Sequence, residues 1–579
     1  MIKALFYVIL PLTLLSCASV DRETSKQLRK MVISKDFDSA INLLTASPLA
    51  QNEKAQLLYY FELGLLNHYK GDFTQSNVAL LKAKELVDEL YTTRVSGKIS
   101  SMLSNDNADL YYGEKYEASL VYFYLSLNFY MQATLSTDPS EKKVLFRQAK
   151  SEITGWDSFL TEIKSERIGK AIFKEDLLAK TFGAFVHEAQ GTREDTQIVL
   201  QLYKDANDVL FKNYNLYPTY NTSYLHFKEN FSDLANLTQK EVAGKYVLET
   251  QHGQTLKDFL ALKILRITKK IIPNQYKATI TEIRPSTLVL DNLKREGGNV
   301  TFLIQDGLIV EKLARTYEYP LSLNGSIVSG LTFGLGNAIS FELPYVETPP
   351  ILDNARLEAL EASGKVVSFS PLSIISPLSE LADQAINEHS SSIATKTGAR
   401  VAGKHIAAIL AAQATYNASK NDHPAMAFLI ATATHSAAVA AIKESEKADL
   451  RYWSTLPSNI RMGNLTLPNG TYRFRAVFGQ EGSLDYRVID LGEQSVEKGT
   501  LKFVMDNKNQ HYQSRDLASN DQPVIITAQE QSQTPSLENV VVSTAEAPKA
   551  KAGCMKDDEC PEGSVCATVG GEYPGWCAN

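Results

Sequence analysis

The sequence predicts an α+β protein of several domains: an N-terminal α-solenoid, a mixed β-sheet region with an inserted Ala-rich helical hairpin, a flexible linker and a small disulfide-rich tail. Three observations lead to this fold class. Small and large apolar residues recur at a fixed offset in the first half, as they do in paired helices. Short β-branched and aromatic runs bounded by Gly, Asn and Pro replace that pattern in the second half. Four of the five cysteines lie beyond residue 553.

The first segment has the pattern of an export signal. Lys3 is followed by an apolar run over 4–15, which is shorter than the roughly 20 residues that a membrane-spanning helix needs. The run ends in Leu14-Leu15-Ser16-Cys17, which resembles the lipobox of bacterial lipoproteins. This resemblance implies cleavage before Cys17, its modification with diacylglycerol and a fatty acid such as palmitate, and anchoring to a lipid bilayer. Ala18 favours the outer membrane, on its periplasmic face or at the cell surface; the alternative is that Cys17 is an ordinary thiol.

A helix-pair pattern runs from Leu57 to Leu86. Its register places a Leu-Gly pair in the first helix, a glycine in the turn, and small residues where the second helix crosses the first. The packing positions are Leu63, Gly64, Gly71, Phe73, Ser76, Leu80 and Ala83. This spacing is that of a tetratricopeptide repeat (TPR), a unit of about 34 residues.

Related patterns flank this unit at 23–48, from Gly113 onward, and more degenerately from Leu177 to Ala206. Repeats of this kind bury their apolar faces only against neighbours, so we expect a curved TPR-like solenoid whose concave face binds peptides or helices. We expect the aromatic stripe from Tyr122 to Tyr130 to be core between stacked helices, with an exposed groove as the alternative.

The second half changes to the period of β-strands. The β-rich runs lie at 299–310, 338–346, 472–478, 486–489 and 501–504. Asn469-Gly470 is a strong hairpin turn signal. These runs predict a small antiparallel sheet or sandwich.

An Ala-rich helical insertion separates the two β regions. Pro424 to Ile442 carries no formal charge and follows the Ala-rich run from Val401 to Ala414. Its length would admit a membrane span, but its Ala- and Thr-rich composition favours a buried helical hairpin packed through small residues. Insertion into lipid and, for an exposed hairpin, self-association are the alternatives.

The tail resembles the small Cys-rich modules of secreted proteins. Its cysteines are Cys554, Cys560, Cys566 and Cys577. An oxidising compartment would allow two disulfides, in any of three pairings. A zinc site is disfavoured because the C-x5-C-x5-C spacing lacks C-x2-C pairs. The preceding linker is polar and poor in aromatic residues, so we expect a flexible tether.

These patterns divide the chain into seven ranges. They are 1–16 (lipoprotein signal peptide), 17–270 (TPR-like helical repeats), 271–380 (β-rich region), 381–450 (Ala-rich helical segment), 451–515 (small β domain), 516–553 (flexible linker) and 554–579 (Cys-rich module).

Composition and motifs narrow the function classes. The net charge of −7 and the pI near 5.8, with Lys and Arg scattered, argue against nucleic acid as a partner. HExxH, G-x-S-x-G, Walker A and Rossmann glycine patterns do not occur. We therefore predict no catalytic residue, metal ligand or cofactor. The acidic and histidine residues considered and set aside are Asp106, Asp109, Glu114, Glu117, His187 and His435.

A family resemblance adds to this reading. Its segments are 104–107, 112–117, 124–129, 298–300, 306–310, 339–344, 448–457 and 467–472. They resemble motifs of a family of uncharacterised bacterial envelope lipoproteins with TPR-like repeats, over roughly residues 50–515. The Cys-rich tail falls outside the resemblance.

Together these features lead us to expect a lipid-anchored, non-catalytic scaffold that binds other envelope proteins through its repeats, in envelope or peptidoglycan assembly. A cell-wall hydrolase or transferase and an oligomeric, membrane-associated export component are the alternatives. A homo-oligomer is compatible with the scaffold and is required for the export component.

Overall fold

The computed structural model shows a mixed α and β protein, in agreement with the predicted α+β class. It describes residues 17–96, 110–165, 176–212, 214, 217–220, 250–320, 338–348, 355–421, 423–483, 486–498, 501–511, 565–567 and 576–578. The predicted signal peptide (1–16) and linker (516–553) lie outside these residues, as do Cys554 and Cys560.

The first half is a succession of helices in which each packs against the next. They are α1 (Cys17–Ile33), α2 (Phe37–Ala46), α3 (Gln56–Lys70), α4 (Phe73–Ser96), α5 (Lys115–Leu135), α6 (Pro139–Ser165), α7 (Leu177–Glu188), α8 (Arg193–Lys212) and α9 (Gln251–Ile271). Two short helices follow, α10 (Tyr276–Ile283) and α11 (Thr287–Asn292), in a range predicted to be β-rich.

Local sequence explains where these helices begin and end. The Asp36 carboxylate accepts the Ser39 amide and caps α2, and Asp176 accepts the amides of the first turn of α7. Gly71 ends α3 at φ +87°, a conformation that residues with a Cβ rarely adopt. The aromatic stripe from Tyr122 to Tyr130 lies buried along α5, which confirms that it is core.

The strands form two four-stranded sheets and a ribbon. They are β1 (Gly298–Asp306), β2 (Leu313–Pro320), β3 (Ala338–Tyr345), β4 (Arg356–Leu360), β5 (Val366–Pro371), β6 (Ser373–Ser376), β7 (Asn459–Leu467), β8 (Gly470–Phe478), β9 (Arg487–Val496) and β10 (Leu501–His511). The sheet orders are β10-β1-β7-β6 and β5-β4-β8-β9, and β2 pairs with β3. The two larger sheets share one apolar core, to which Phe302, Leu357 and Phe474 contribute, so they form a sandwich.

The sandwich differs from the predicted antiparallel arrangement at one pair of strands. β1 and β10 run parallel, from Asn299 opposite Leu501, whereas an antiparallel sheet was expected. A parallel pair needs a long crossover, and the whole chain between β1 and β10 supplies it. Each sheet combines strands from the ranges 271–380 and 451–515, which alternate in the order β10-β1-β7-β6, so these two regions build one sandwich.

The Ala-rich insertion is a hairpin of two antiparallel helices, α12 (Leu378–Ser419) and α13 (Pro424–Ser445). The two helices pack through small residues such as Ala412 and Ala431, as expected. Near its base the hairpin contacts β3 through Phe341 and Val401.

The tail belongs to a second compact unit, Gln529–Asn579. Its described residues are two short strands, β11 (Val565–Ala567) and β12 (Trp576–Ala578), that pair antiparallel. Cys566 and Cys577 are directly opposite in this register. The disulfides themselves stay a prediction.

Two helical glycines test the close packing of α3 on α4. A Cβ on Gly64 would lie 2.6 Å from side-chain atoms of the fully buried Leu80, whereas a Cβ on Gly403 in α12 would meet nothing within 4 Å. We expect Gly64→Ala to lower the free energy of unfolding by about 1–3 kcal/mol through overpacking. Gly403→Ala should raise it by up to about 1 kcal/mol through helix propensity. Urea unfolding of both variants measures this, and equal effects would contradict the tight crossing.

Candidate functional site

The structure brings most of the predicted packing residues together at the α3–α4 crossing. Leu63 and Gly64 lie on α3, Gly71 ends it, and Phe73, Ser76, Leu80 and Ala83 lie on α4. The Ser76 hydroxyl donates to the Gly64 carbonyl at 2.7 Å. Leu63 is only partly buried and packs at the edge of the core. This contact holds one helix pair closed, so these residues shape the scaffold.

The main polar site lies between α3, α5 and an irregular segment, residues 451–458, which we call the closing segment. Its centre is the fully buried Glu62 of α3. One oxygen of the Glu62 carboxyl group accepts the amide and the hydroxyl of Ser454, each at 2.7 Å, and the other accepts the Thr455 hydroxyl. Burial raises the pKa of Glu62 to about 7. The hydrogen bonds from Ser454 and Thr455 lower the pKa, but their effect is smaller than that of burial. The Glu62 carboxyl group therefore titrates well above the range of an exposed glutamate.

A second buried carboxylate holds the neighbouring residue of the closing segment. Glu117 of α5 accepts the Trp453 amide at 2.7 Å, the Tyr111 hydroxyl at 2.6 Å and the Glu114 amide at 2.7 Å. The Trp453 ring stacks on Phe61 with centroids 4.5 Å apart. The closing segment is thus bound by both its backbone and an aromatic anchor.

Donors from α1 and α3 satisfy the carbonyls of the same segment. Arg29 Nη1 donates to the carbonyls of Ile309 and Ser454 at 2.8 and 3.0 Å. The Tyr69 hydroxyl donates to the Thr455 carbonyl at 2.9 Å. This face of the helical array binds a segment of the protein's own chain.

A buried histidine connects the same helices to β1. His68 Nδ1 lies 2.7 Å from Asn128 Oδ1, and His68 Nε2 lies 3.2 Å from Gln305 Nε2. The side-chain nitrogen of Asn128 donates to the Ser76 hydroxyl, so the side-chain oxygen of Asn128 is the atom that accepts a hydrogen bond from His68. This pattern fits a neutral imidazole that donates from Nδ1, and burial lowers the His68 pKa to about 4. His68 therefore stays uncharged at neutral pH and has a structural role.

Three of the residues set aside as catalytic candidates are held in structural contacts. Glu114 and Glu117 form a capping box at the start of α5, and Glu114 pairs with Lys312 at 2.8 Å. His187 pairs with Asp195 at 2.7 Å. Asp106 and Asp109 lie outside the described residues. Among the residues described, no group of three or more His, Cys, Asp or Glu is arranged to hold a metal ion.

The outer surface of the α12–α13 hairpin is apolar and exposed, so the expectation of a buried hairpin was wrong. In the helix Pro424–Lys443, long and apolar enough to cross a membrane, only 22% of the apolar window is buried. The exposed large side chains are Ile406 (45%), Leu410 (54%), Met426 (56%), Phe428 (43%), Leu429 (61%) and Ile430 (43%). The helices cover each other along their small-residue seam, and no other described element covers the outward faces.

Comparison of the chain with protein-family models, curated proteins and solved structures finds no match.

The raised pKa of Glu62 makes stability depend on pH. A folded-state pKa of about 7, above the ordinary 4.5, means that the folded state binds the proton more tightly. Stability is then greatest below the unfolded pKa and falls by about 3 kcal/mol as pH rises towards 7. Glu62→Gln keeps a side-chain oxygen that accepts from Ser454 and offers an NH₂ group to Thr455. The variant should therefore lack this loss of stability with rising pH and be more stable than the wild type at pH 8.

Urea unfolding midpoints from pH 5 to 8 measure the difference between variant and wild type. Glu282→Gln, at an exposed glutamate of α10, is the matched control and should keep the wild-type slope. An unchanged slope in Glu62→Gln would show that this carboxyl is ionised throughout the range.

Proposed function

We propose that the protein is a lipid-anchored, non-catalytic scaffold of the cell envelope whose contact surface is the α12–α13 hairpin. The observation that carries this proposal is the large uncharged surface that the hairpin exposes. Monomeric soluble proteins rarely expose contiguous apolar patches of this kind, and such patches mark interaction sites.

The helical array serves as the rigid support of this surface. Consecutive packing from α1 to α9 and the Gly64–Leu80 crossing support a TPR-like solenoid. A partner peptide could bind the face of α3 and α5 only by displacing the closing segment and its hydrogen bonds. We therefore assign partner contact to the hairpin and not to this face of the repeats.

The envelope location follows from the lipobox-like sequence at Cys17 and from the Cys-rich tail. Cys17 begins α1, so an acyl group there would be attached directly to the first helix of the array. Opposed Cys566 and Cys577 in the β11–β12 ladder are compatible with a disulfide-bonded tail. Other envelope proteins, including those that assemble peptidoglycan, are the proposed partners.

The two alternative functions differ in their support. A cell-wall hydrolase or transferase would need carboxylates that converge on a substrate, whereas Glu62 and Glu117 bind the protein's own closing segment. An oligomeric, membrane-associated export component is favoured by the exposed hairpin and is our second candidate.

Lipidation is tested directly by Cys17→Ala. We expect this variant to lose incorporation of a labelled fatty acid, because the acceptor sulfur and the new N-terminus are lost. Cys577→Ala is the control and should keep the label. Retention of label by Cys17→Ala would contradict the proposed anchor.

The scaffold role is tested by crosslinking intact cells and identifying what co-purifies with the tagged protein. We expect a defined set of envelope proteins with the wild type, and loss of that set with Cys17→Ala. Recovery of the protein alone from wild-type cells would count against a scaffold and in favour of self-assembly or catalysis.

A further inference from the structure

The α12–α13 hairpin carries a charge-free band bounded by polar residues at both ends. We define the apolar band as residues 405–418 and 424–442, which contain no Asp, Glu, Lys or Arg. At its base, Arg400 and Lys404 pair with Glu446 at 2.8 and 2.6 Å. At its tip, Lys420 and His423 are exposed. From these features we infer that the hairpin inserts into a lipid bilayer, with the apolar band in the hydrocarbon region.

The length of the apolar band is compatible with the thickness of a bilayer's hydrocarbon core. At 1.5 Å per residue, the α13 part is about 28 Å long and the α12 part about 21 Å. The hydrocarbon core of a bilayer is about 30 Å thick. Lys404 and Lys420 bracket the shorter helix, and long lysine side chains can reach the interface from there.

The exposed apolar side chains surround the hairpin and do not lie on one side of it. Phe428, Leu429 and Ile430 are consecutive and are all exposed. Consecutive residues of an α-helix point about 100° apart, so these three cover a wide arc of α13. One docked protein surface would cover part of that arc, whereas lipid would cover all of it.

Four hydroxyl groups in the band already have the internal hydrogen bonds that a hydrocarbon environment requires. Four hydroxyls donate to the carbonyl one turn earlier: Thr415 to Ala411, Thr432 to Phe428, Thr434 to Ile430 and Ser436 to Thr432, at 2.8–2.9 Å. His405 and His435 are buried between the two helices. In lipid, every backbone group and hydroxyl must find its partner inside the protein. The hairpin meets that demand for these hydroxyls without help from water.

This inference deepens the proposed function by naming what the hairpin contacts, and rests on the same exposed surface. Its test uses the full-length lipidated protein in phosphatidylethanolamine–phosphatidylglycerol vesicles with brominated acyl chains. Leu429→Trp places a fluorophore in the band, and Leu288→Trp is the matched control, because the two leucines are 61% and 58% exposed. Wild-type emission from Trp156, Trp453 and Trp576 is subtracted.

We expect the added fluorescence of Leu429→Trp to shift to the blue and to be largely lost by bromine quenching, while Leu288→Trp stays unquenched. Adding Ala433→Arg to Leu429→Trp should disfavour insertion roughly 100-fold, the cost of a charge at the centre of a membrane helix. Asn421→Arg, at the tip and outside the band, should leave quenching intact. Ala433 and Asn421 are exposed, so neither arginine disturbs the fold.

Two results would overturn the inference, and they are distinguishable. A blue-shifted, unquenched Leu429→Trp whose shift depends on protein concentration would show that a second copy covers the hairpin, and the proposed interaction surface would stand. In the second result, the tryptophan of Leu429→Trp emits like a water-exposed indole, both in vesicles and at high protein concentration. This result would contradict both the bilayer inference and the hairpin as the contact surface.

Discussion

The burial of two carboxyl groups against the closing segment is the constraint on which the described structure depends. Glu62 and Glu117 are both fully buried, and their partners include the amides of Ser454 and Trp453. A buried carboxyl without its donors would cost several kcal/mol. The closing segment leads directly into β7, which lies between β1 and β6. The helical array and the sandwich therefore stabilise each other through one short stretch of chain.

The protein's local features could be predicted from the sequence, because they depend on residues that are close together in the chain. The Gly64–Leu80 crossing, the Gly71 turn and the aromatic core of α5 all arise within one or two helices. The α+β class followed from hydrophobic periodicity in the same way. The parallel pairing of β1 with β10 was not predicted, since periodicity indicates strands and carries no information about which strands pair.

The candidate sites were harder to predict from the sequence. Glu62 and Ser454 are separated by 392 positions, so no local pattern connects them. The available signal was a carboxylate on an otherwise apolar helix face, beside Phe61 and Leu65. For the hairpin, composition correctly indicated small-residue packing between α12 and α13. It could not show that neighbouring elements leave the outer faces uncovered, because that depends on the whole fold.

The parallel pairing of β1 with β10 has a consequence for the order in which the chain can fold. The strand that completes the first sheet begins at Leu501, after the helical array, the hairpin and strands β1 to β9 have been synthesised. Contacts between residues this far apart form late and slowly. For a chain that we propose is exported, the pairing has a consequence for transport: on the far side of the membrane, the first sheet is complete only once residues 501–511 have arrived.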